Sequence, residues 1–129
     1  MPENEDRTEC DLFWVGRSKD DLMGFPQDVI QRFGYSLHLM QQGENPSGVK
    51  PFKGIGSGVN EIVIRYDKEA YRCVQVVNLG GSIYVLHAFH KKSTKGINTP
   101  KKEVDLIKQR YQQALEAAKE IEQEKNDEK

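Results

Sequence analysis

The sequence predicts an α+β domain: a small twisted antiparallel sheet with a helical hairpin at its N-terminal side and one further helix at the C-terminus. Two predicted helical segments, one marked by a cap and one by helical apolar spacing, precede three strand-like runs joined by short links, and a last helical pattern follows them. A chain of 129 residues has room for one compact core. We therefore expect a single domain over residues 10–121, between flexible polar tails at 1–9 and 122–129.

The N-terminal part predicts a short strand and two helices. Leu12–Val15 has strand character, and Ser18 is a candidate N-cap for a short helix that is broken near Gly24. A second helix is expected from Pro26 until Gly43 ends it. Its apolar stripe, which indicates packing and no chemistry, consists of Val29, Ile30, Phe33, Leu37 and Met40.

The middle of the chain predicts a basic, glycine-rich turn and then three strands. Lys50–Gly58 is the turn, and the strand-like runs are Val59–Asp67, Ala70–Leu79 and Ser82–His90. Because Gly80 and Gly81 suit a tight hairpin, the links favour an antiparallel meander. The last helix is expected over residues 100–121.

Composition excludes several classes of protein. No run approaches the ~20 apolar residues of a membrane span, and the acidic N-terminus does not resemble an export signal. Cys10 and Cys73 are far apart and have no partners at metal-ligand spacing. We therefore expect a cytoplasmic protein that binds neither a structural metal nor a cofactor.

The small net charge of −1 hides a division along the chain. Residues 50–110 carry twelve basic and five acidic side chains, whereas residues 1–49 carry four and nine. Residues 111–129 are acidic again, with three basic and six acidic residues. Gathered cations are typical of a surface that binds a polyanion, although they also occur on an ordinary solvated face.

The end of the third strand carries the densest signal for chemistry, since Leu86-His-Ala-Phe-His-Lys-Lys-Ser93 contains two histidines and two lysines. Alternation along a strand places His87 and His90 on opposite sides, so they are not expected to share a metal. His87 shares its side with apolar residues, which favours a core histidine. His90 is the better candidate for proton transfer.

Arg65 and Arg72 lie on adjacent predicted strands, so antiparallel pairing brings them near one another. Two guanidinium groups suit a phosphate, to which each can donate paired hydrogen bonds. The alternative is that they pair with nearby acidic residues, of which the candidates are Glu61, Asp67 and Glu69.

No carboxylate cluster indicates a magnesium site, so any RNA cleavage here is expected to be independent of metal. In that chemistry a base removes the ribose 2′-hydroxyl proton, cations hold the phosphate and an acid protonates the leaving oxygen. Gly54, Gly56 and Gly58 precede a strand and no helix, which argues against a nucleotide-binding loop. A flexible turn remains, and its flexibility would also let Lys50 and Lys53 reach a phosphate backbone.

The run KPFKGIGSGVNEIVIRYDKEAYRCVQVV, followed by IYVLHAFHKKSTKGINTPKKEVDLIKQR, resembles the phage-derived HigB-like branch of the RelE/ParE toxin superfamily. The resemblance implies ribosome-dependent cleavage of messenger RNA. It also implies a helix-turn-helix antitoxin of the HigA type that silences the toxin. The residues it marks as catalytic are Lys53, Arg65, Arg72, His90 and Lys91, and those it marks for RNA binding are Lys50, Lys92 and Lys95.

Two departures from the family pattern leave other functions open. Residues 91–103 contain no tyrosine, which some relatives place shortly after this strand, and the terminal helix is longer than the usual toxin tail. One alternative is a non-nucleolytic protein of the same fold, such as a ParE-like gyrase inhibitor. Another is a phage remnant that only binds a partner.

Overall fold

The fold is described here from a computed structural model over residues 9–92 and 99–127, without the side chains of Lys91 and Lys92. The elements follow one another along the chain in this order: β1 (Leu12–Trp14), α1 (Ser18–Met23), α2 (Gln27–Gln41), β2 (Val49–Pro51), β3 (Val59–Tyr66), β4 (Glu69–Leu79), β5 (Ser82–Lys92) and α3 (Lys101–Asp127). The α+β class, the N-terminal helical hairpin and the C-terminal helix are as the sequence predicts.

The five strands form one sheet in the order β1-β5-β4-β3-β2. The predicted antiparallel meander is confirmed, because β3 pairs with β4 and β4 with β5 in antiparallel fashion. Strand β2, which lies in a segment expected to be a turn, adds an antiparallel edge. Strand β1 pairs with β5 in parallel, since α1 and α2 carry the chain away before it returns. The sheet is therefore mixed rather than purely antiparallel.

Helices cover both faces of the sheet, and we name each face by its cover. The hairpin face packs against α1 and α2. Its buried core consists of Leu22, Val29, Phe33, Leu37, Ile62, Ile64, Tyr71, Cys73, Val85 and Ala88. The α3 face packs against the C-terminal helix. Its core consists of Val15, Val59, Val74, Val76, Tyr84, Leu86, Phe89, Ile107 and Ala114.

A bulge in β5 changes the predicted alternation of that strand. His87 lies opposite Val74 and Val85 lies opposite Gln75, so Leu86 is an extra residue between them. Val85 consequently belongs to the hairpin face, although it was expected to share a side with His87. The separation of the two histidines survives, because the bulge precedes both.

Three predicted helix ends differ from the observed ones. Ser18 is the first helical residue and not the N-cap, because its buried hydroxyl donates to the Val85 carbonyl at 3.1 Å. Pro26 is the N-cap of α2 and not its first residue. Helix α3 continues to Asp127, beyond the expected end at residue 121, because the Glu, Gln and Lys residues that follow are good helix formers.

No helix within residues 9–92 and 99–127 combines the length and the apolar character that crossing a bilayer needs.

Candidate nucleic-acid interface

The sheet register brings several of the predicted cations to the α3 face. Lys50 on β2 pairs directly with Glu61 on β3, and direct partners project to the same side. Arg72 on β4 pairs with Val63, and Arg65 pairs with Ala70, so both arginines share that side. The expectation that Arg65 and Arg72 lie close together in the sheet is therefore confirmed.

Arg72 is held by a carboxylate. Its Nη1 donates to Glu61 Oε1 at 2.9 Å, and the two side chains are only 14% and 8% exposed. The pairing that the sequence left open as an alternative is thus realised for this arginine. The buried Nε of Arg72 has no hydrogen-bond partner among the described residues, so the guanidinium keeps an unused donor beside the ion pair.

Lys50 and Arg65 are exposed and flank this buried pair. Lys50 is paired with Glu61, and Glu61 and Arg65 are four residues apart on β3. At the usual rise of a strand, Lys50 and Arg65 are therefore about 13 Å apart along the sheet. A line of cations of that length matches a short stretch of sugar-phosphate backbone. Lys91 aligns with Ala70 in the backbone register, in the same row as Arg65.

The glycine-rich turn packs against α3. Phe52 and Ile55 contact the α3-face core, and a Cβ on Gly56 would lie 2.5 Å from the Tyr111 ring. A side chain at position 56 would therefore have to displace the end of the Tyr111 ring, a contact that the sequence did not show. Lys53 lies exposed within this turn, between the two apolar anchors.

His90 is on the hairpin face, on the other side of the sheet from Arg65 and Arg72. It pairs with Tyr71 in the register and stacks on that ring at a centroid distance of 5.1 Å. Its Nδ1 lies 2.5 Å from Glu69 Oε1. The structure thus does not bring His90 together with the arginines, although all three were expected in one catalytic set.

His87 is a buried histidine with partners, as the sequence favoured. Its Nε2 lies 2.9 Å from Glu103 Oε1 and its Nδ1 lies 3.3 Å from Arg110 Nη1. Arg110 also donates to the Leu86 carbonyl at 2.9 Å, and Asp21 completes the group at 3.5 Å from Arg110. Sequence reasoning missed this network, whose one signal was a charged residue, Arg110, within the apolar stripe of the last helix.

Tyr71 is the most buried hydroxyl-bearing ring near the strand end. Burial, with a smaller contribution from the carboxylates of Glu69 and Asp67, raises the pKa of its hydroxyl. The phenol therefore stays protonated at neutral pH and cannot act as a base. Its ring instead serves as the support for His90.

The remaining predicted residues lie partly or wholly outside the described part of the chain. Lys91 and Lys92 have described backbone only, and Lys95 lies outside the described residues. Within residues 9–92 and 99–127, no three His, Cys, Asp or Glu side chains form a group that could hold a metal ion.

The family model "Phage derived protein Gp49-like (DUF891)" matches residues 20–112, well over half of the chain. No curated protein matches. Among solved structures, a chain in the crystal structure of the toxin–antitoxin complex RelBE2 from Mycobacterium tuberculosis is similar at 14% identity and a TM-score of 0.47. That alignment covers 65% of this chain and 93% of the other.

Proposed function

The chain belongs to the phage-derived protein Gp49-like family, and from that premise we propose that it is the toxin of a toxin–antitoxin pair and cleaves messenger RNA. The sequence run over residues 50–110 supports this proposal through its resemblance to HigB-like toxins. Cleavage on the ribosome, a cytoplasmic location and a helix-turn-helix antitoxin of the HigA type are parts of the same proposal.

One observation carries the proposal: Lys50, Arg65 and Arg72 share the α3 face of the sheet, with Lys53 in the adjoining turn. Lys50 and Arg65 are exposed. The buried Nε of Arg72 has no hydrogen-bond partner among the described residues. A phosphodiester lying along β3 would meet these groups in succession. Guanidinium groups stabilise the extra negative charge that a phosphate gains as its ester bond is broken.

Proton transfer needs a group on that same face. We assign removal of the 2′-hydroxyl proton to Glu61, because its carboxylate contacts Arg72 and would adjoin a phosphate bound by Arg72. The oxygen of the 2′-hydroxyl then attacks the phosphorus, and the bond to the 5′-oxygen of the next nucleotide breaks. The 5′-oxygen takes a proton from solvent or from a neighbouring cationic side chain.

The proposal predicts that Arg65→Ala weakens toxicity and RNA cleavage at least tenfold, because an exposed phosphate contact is removed from the line of cations. Growth would be followed after induction of each variant in a bacterial host. Cleavage would be measured as truncation of a reporter message in a reconstituted translation reaction.

Lys119→Ala is the matched control, since it removes an exposed cation from α3 outside the proposed face. It should leave toxicity and cleavage unchanged. If Arg65→Ala and Lys119→Ala cleave the message at the same rate as the unaltered chain, the assignment of the α3 face is wrong. Equal thermal stability of the two variants would show that neither effect comes from unfolding.

A second candidate function gains support from the position of His90. Because His90 lies across the sheet from the arginines and Arg72 is already paired, the face also suits a toxin that binds a target without cutting RNA. A gyrase inhibitor of the ParE type is such a protein. A DNA-supercoiling assay beside the translation assay separates the two, since only inhibition of gyrase changes plasmid topology.

A further inference from the structure

Four aromatic rings meet on the hairpin face, at the end of the sheet where β3 turns into β4. Tyr71 is the central ring, and His90 lies nearly parallel to it, with centroids 5.1 Å apart and an interplanar angle of 28°. Phe25 meets Tyr71 edge-on at 4.9 Å and His90 edge-on at 5.9 Å. Tyr66 contacts Tyr71 at 6.5 Å. We call these residues the ring cluster.

The ring cluster is buried at one end and open at the other. Tyr71 is 6% exposed, whereas the side chain of His90 is 51% exposed. Tyr71 stacks on one face of the imidazole, and about half of the His90 side chain remains open to solvent. Glu69, bonded to Nδ1, holds the imidazole in this orientation. The result is a stack of two rings that ends at a fixed, exposed aromatic surface.

Basic residues adjoin this open end along the chain. Arg65 immediately precedes Tyr66 on β3, and Lys68 is exposed in the β3–β4 turn. The backbone of Lys92, two residues after His90, pairs with that of Glu69 in the register. Because consecutive strand residues project to opposite faces, a strand of RNA passing over this end of the sheet can contact Arg65 on one side and Tyr66 on the other.

We infer that the ring cluster binds one unpaired base of single-stranded RNA, which stacks on the exposed imidazole of His90 and contacts the ring of Tyr66. Aromatic stacking accepts any base and is the usual complement to phosphate contacts in proteins that hold single strands. The inference rests on the proposed function, and it gives His90 a stacking role in place of proton transfer.

Binding of a ten-nucleotide single-stranded RNA with 2′-O-methyl groups at every position tests the inference, because this RNA lacks the hydroxyl that cleavage requires. His90→Ala removes the stacking surface and should raise the Kd about tenfold. His90→Phe keeps an aromatic ring without ring nitrogens, and its Kd should stay within about twofold of that of the unaltered chain. Tyr66→Ala should weaken binding in the same direction.

An RNA series with one abasic position, moved along the strand, provides the second half of the test. At one position, loss of the base should weaken binding to the unaltered chain about tenfold and leave binding to His90→Ala unchanged. This coupling would not arise if His90 only supported the fold. The thermal stability of each variant is measured alongside.

The base site is contradicted by any of three results. If His90→Ala binds like the unaltered chain while Arg65→Ala binds weakly, the base site is wrong and the RNA-binding face stands. If His90→Phe is as weak as His90→Ala, the imidazole acts through its nitrogens, and the stacking role is wrong. If the unaltered chain does not bind the RNA, the base site is wrong, whereas the proposed function is decided by the cleavage assay with Arg65→Ala.

Discussion

Burial changes the chemistry of individual side chains, and Cys73 shows the largest effect. The residue lies within β4 in the core of the hairpin face and is 0% exposed. Burial raises the pKa of its thiol to about 12, because a thiolate would lose its hydration there. Cys10, at the start of the described chain, is partly exposed and also has a free thiol.

We predict that only one of the two thiols reacts with a disulfide reagent in the native protein at pH 8, and that both react after unfolding. The unfolded thiol ionises near 9 and the folded one near 12. The contribution of Cys73 to the free energy of unfolding is therefore constant below pH 9 and falls as the pH rises towards 12.

Two measurements check this prediction. The Cys10→Ser variant should show no labelling in its native state, because only the buried thiol is left. As the pH rises from 8 to 11, the free energy of unfolding measured in urea should fall less for Cys73→Ala than for the unaltered chain. Complete labelling of native Cys10→Ser within minutes would contradict the burial argument.

Neighbouring carboxylates also limit the roles of two site residues, Arg72 and His90. Arg72 is bound by Glu61 and His90 by Glu69, so the neighbouring carboxylate limits what each of these side chains can still contact. For Arg72 this leaves one unused donor, and for His90 it leaves the open face of a fixed ring. The two proposals above depend on these differences.

At the scale of single elements, two glycines have opposite roles. Gly34 lies within helix α2 with nothing within 4 Å of a Cβ placed there. Gly56 lies in the turn before β3, where a Cβ would collide with the Tyr111 ring of α3 at 2.5 Å. The first glycine only weakens its helix, while the second allows an element to dock.

Gly34→Ala should therefore raise the free energy of unfolding by about 0.5–1 kcal/mol, because alanine is the better helix former. Gly56→Ala should lower the free energy of unfolding by about 1–3 kcal/mol through overpacking. Urea denaturation measures both.

The double variant Gly56→Ala with Tyr111→Leu isolates the cause of the second effect. Removing the ring should restore part of the stability lost in Gly56→Ala, so that the two changes are not additive. Strict additivity would show that the cost of Gly56→Ala comes from the backbone and not from α3.

At the scale of the whole molecule, the network around Arg110 joins three elements. Arg110 on α3 contacts the Leu86 carbonyl and His87 on β5, and it lies near Asp21 on α1. Glu103, about two helical turns earlier on α3, contacts the same histidine. The C-terminal helix is thereby tied to the sheet and to the N-terminal hairpin by polar contacts as well as by the core.

Arg110→Met should lower the free energy of unfolding by about 3–5 kcal/mol, because it leaves buried partners of the guanidinium without their donor. Lys108→Met, an exposed position on the same helix, should change stability by no more than about 0.5 kcal/mol. If urea denaturation shows equal stabilities for the two variants, the network does not hold the elements together.

Much of the fold follows from local sequence patterns. Helical spacing located α2 and α3, and capping signals located α1. Alternation with a tight glycine turn predicted the order β3-β4-β5 and the closeness of Arg65 and Arg72. These features depend on neighbours within a few residues, or on strands joined by a short link. Local physics therefore determines them.

Other features arise from contacts between distant segments, and only the tertiary structure decides them. The parallel pairing of β1 with β5, the bulge at Leu86 and the docking of Gly56 against Tyr111 each join residues that no local pattern connects. The same is true of the site: the sequence by itself determined which cations are present and that His87 and His90 lie on opposite sides. Packing decided that Glu61 neutralises Arg72 and that His90 ends an aromatic stack on the far side of the sheet, because each partner is chosen by distance in space and not by distance along the chain.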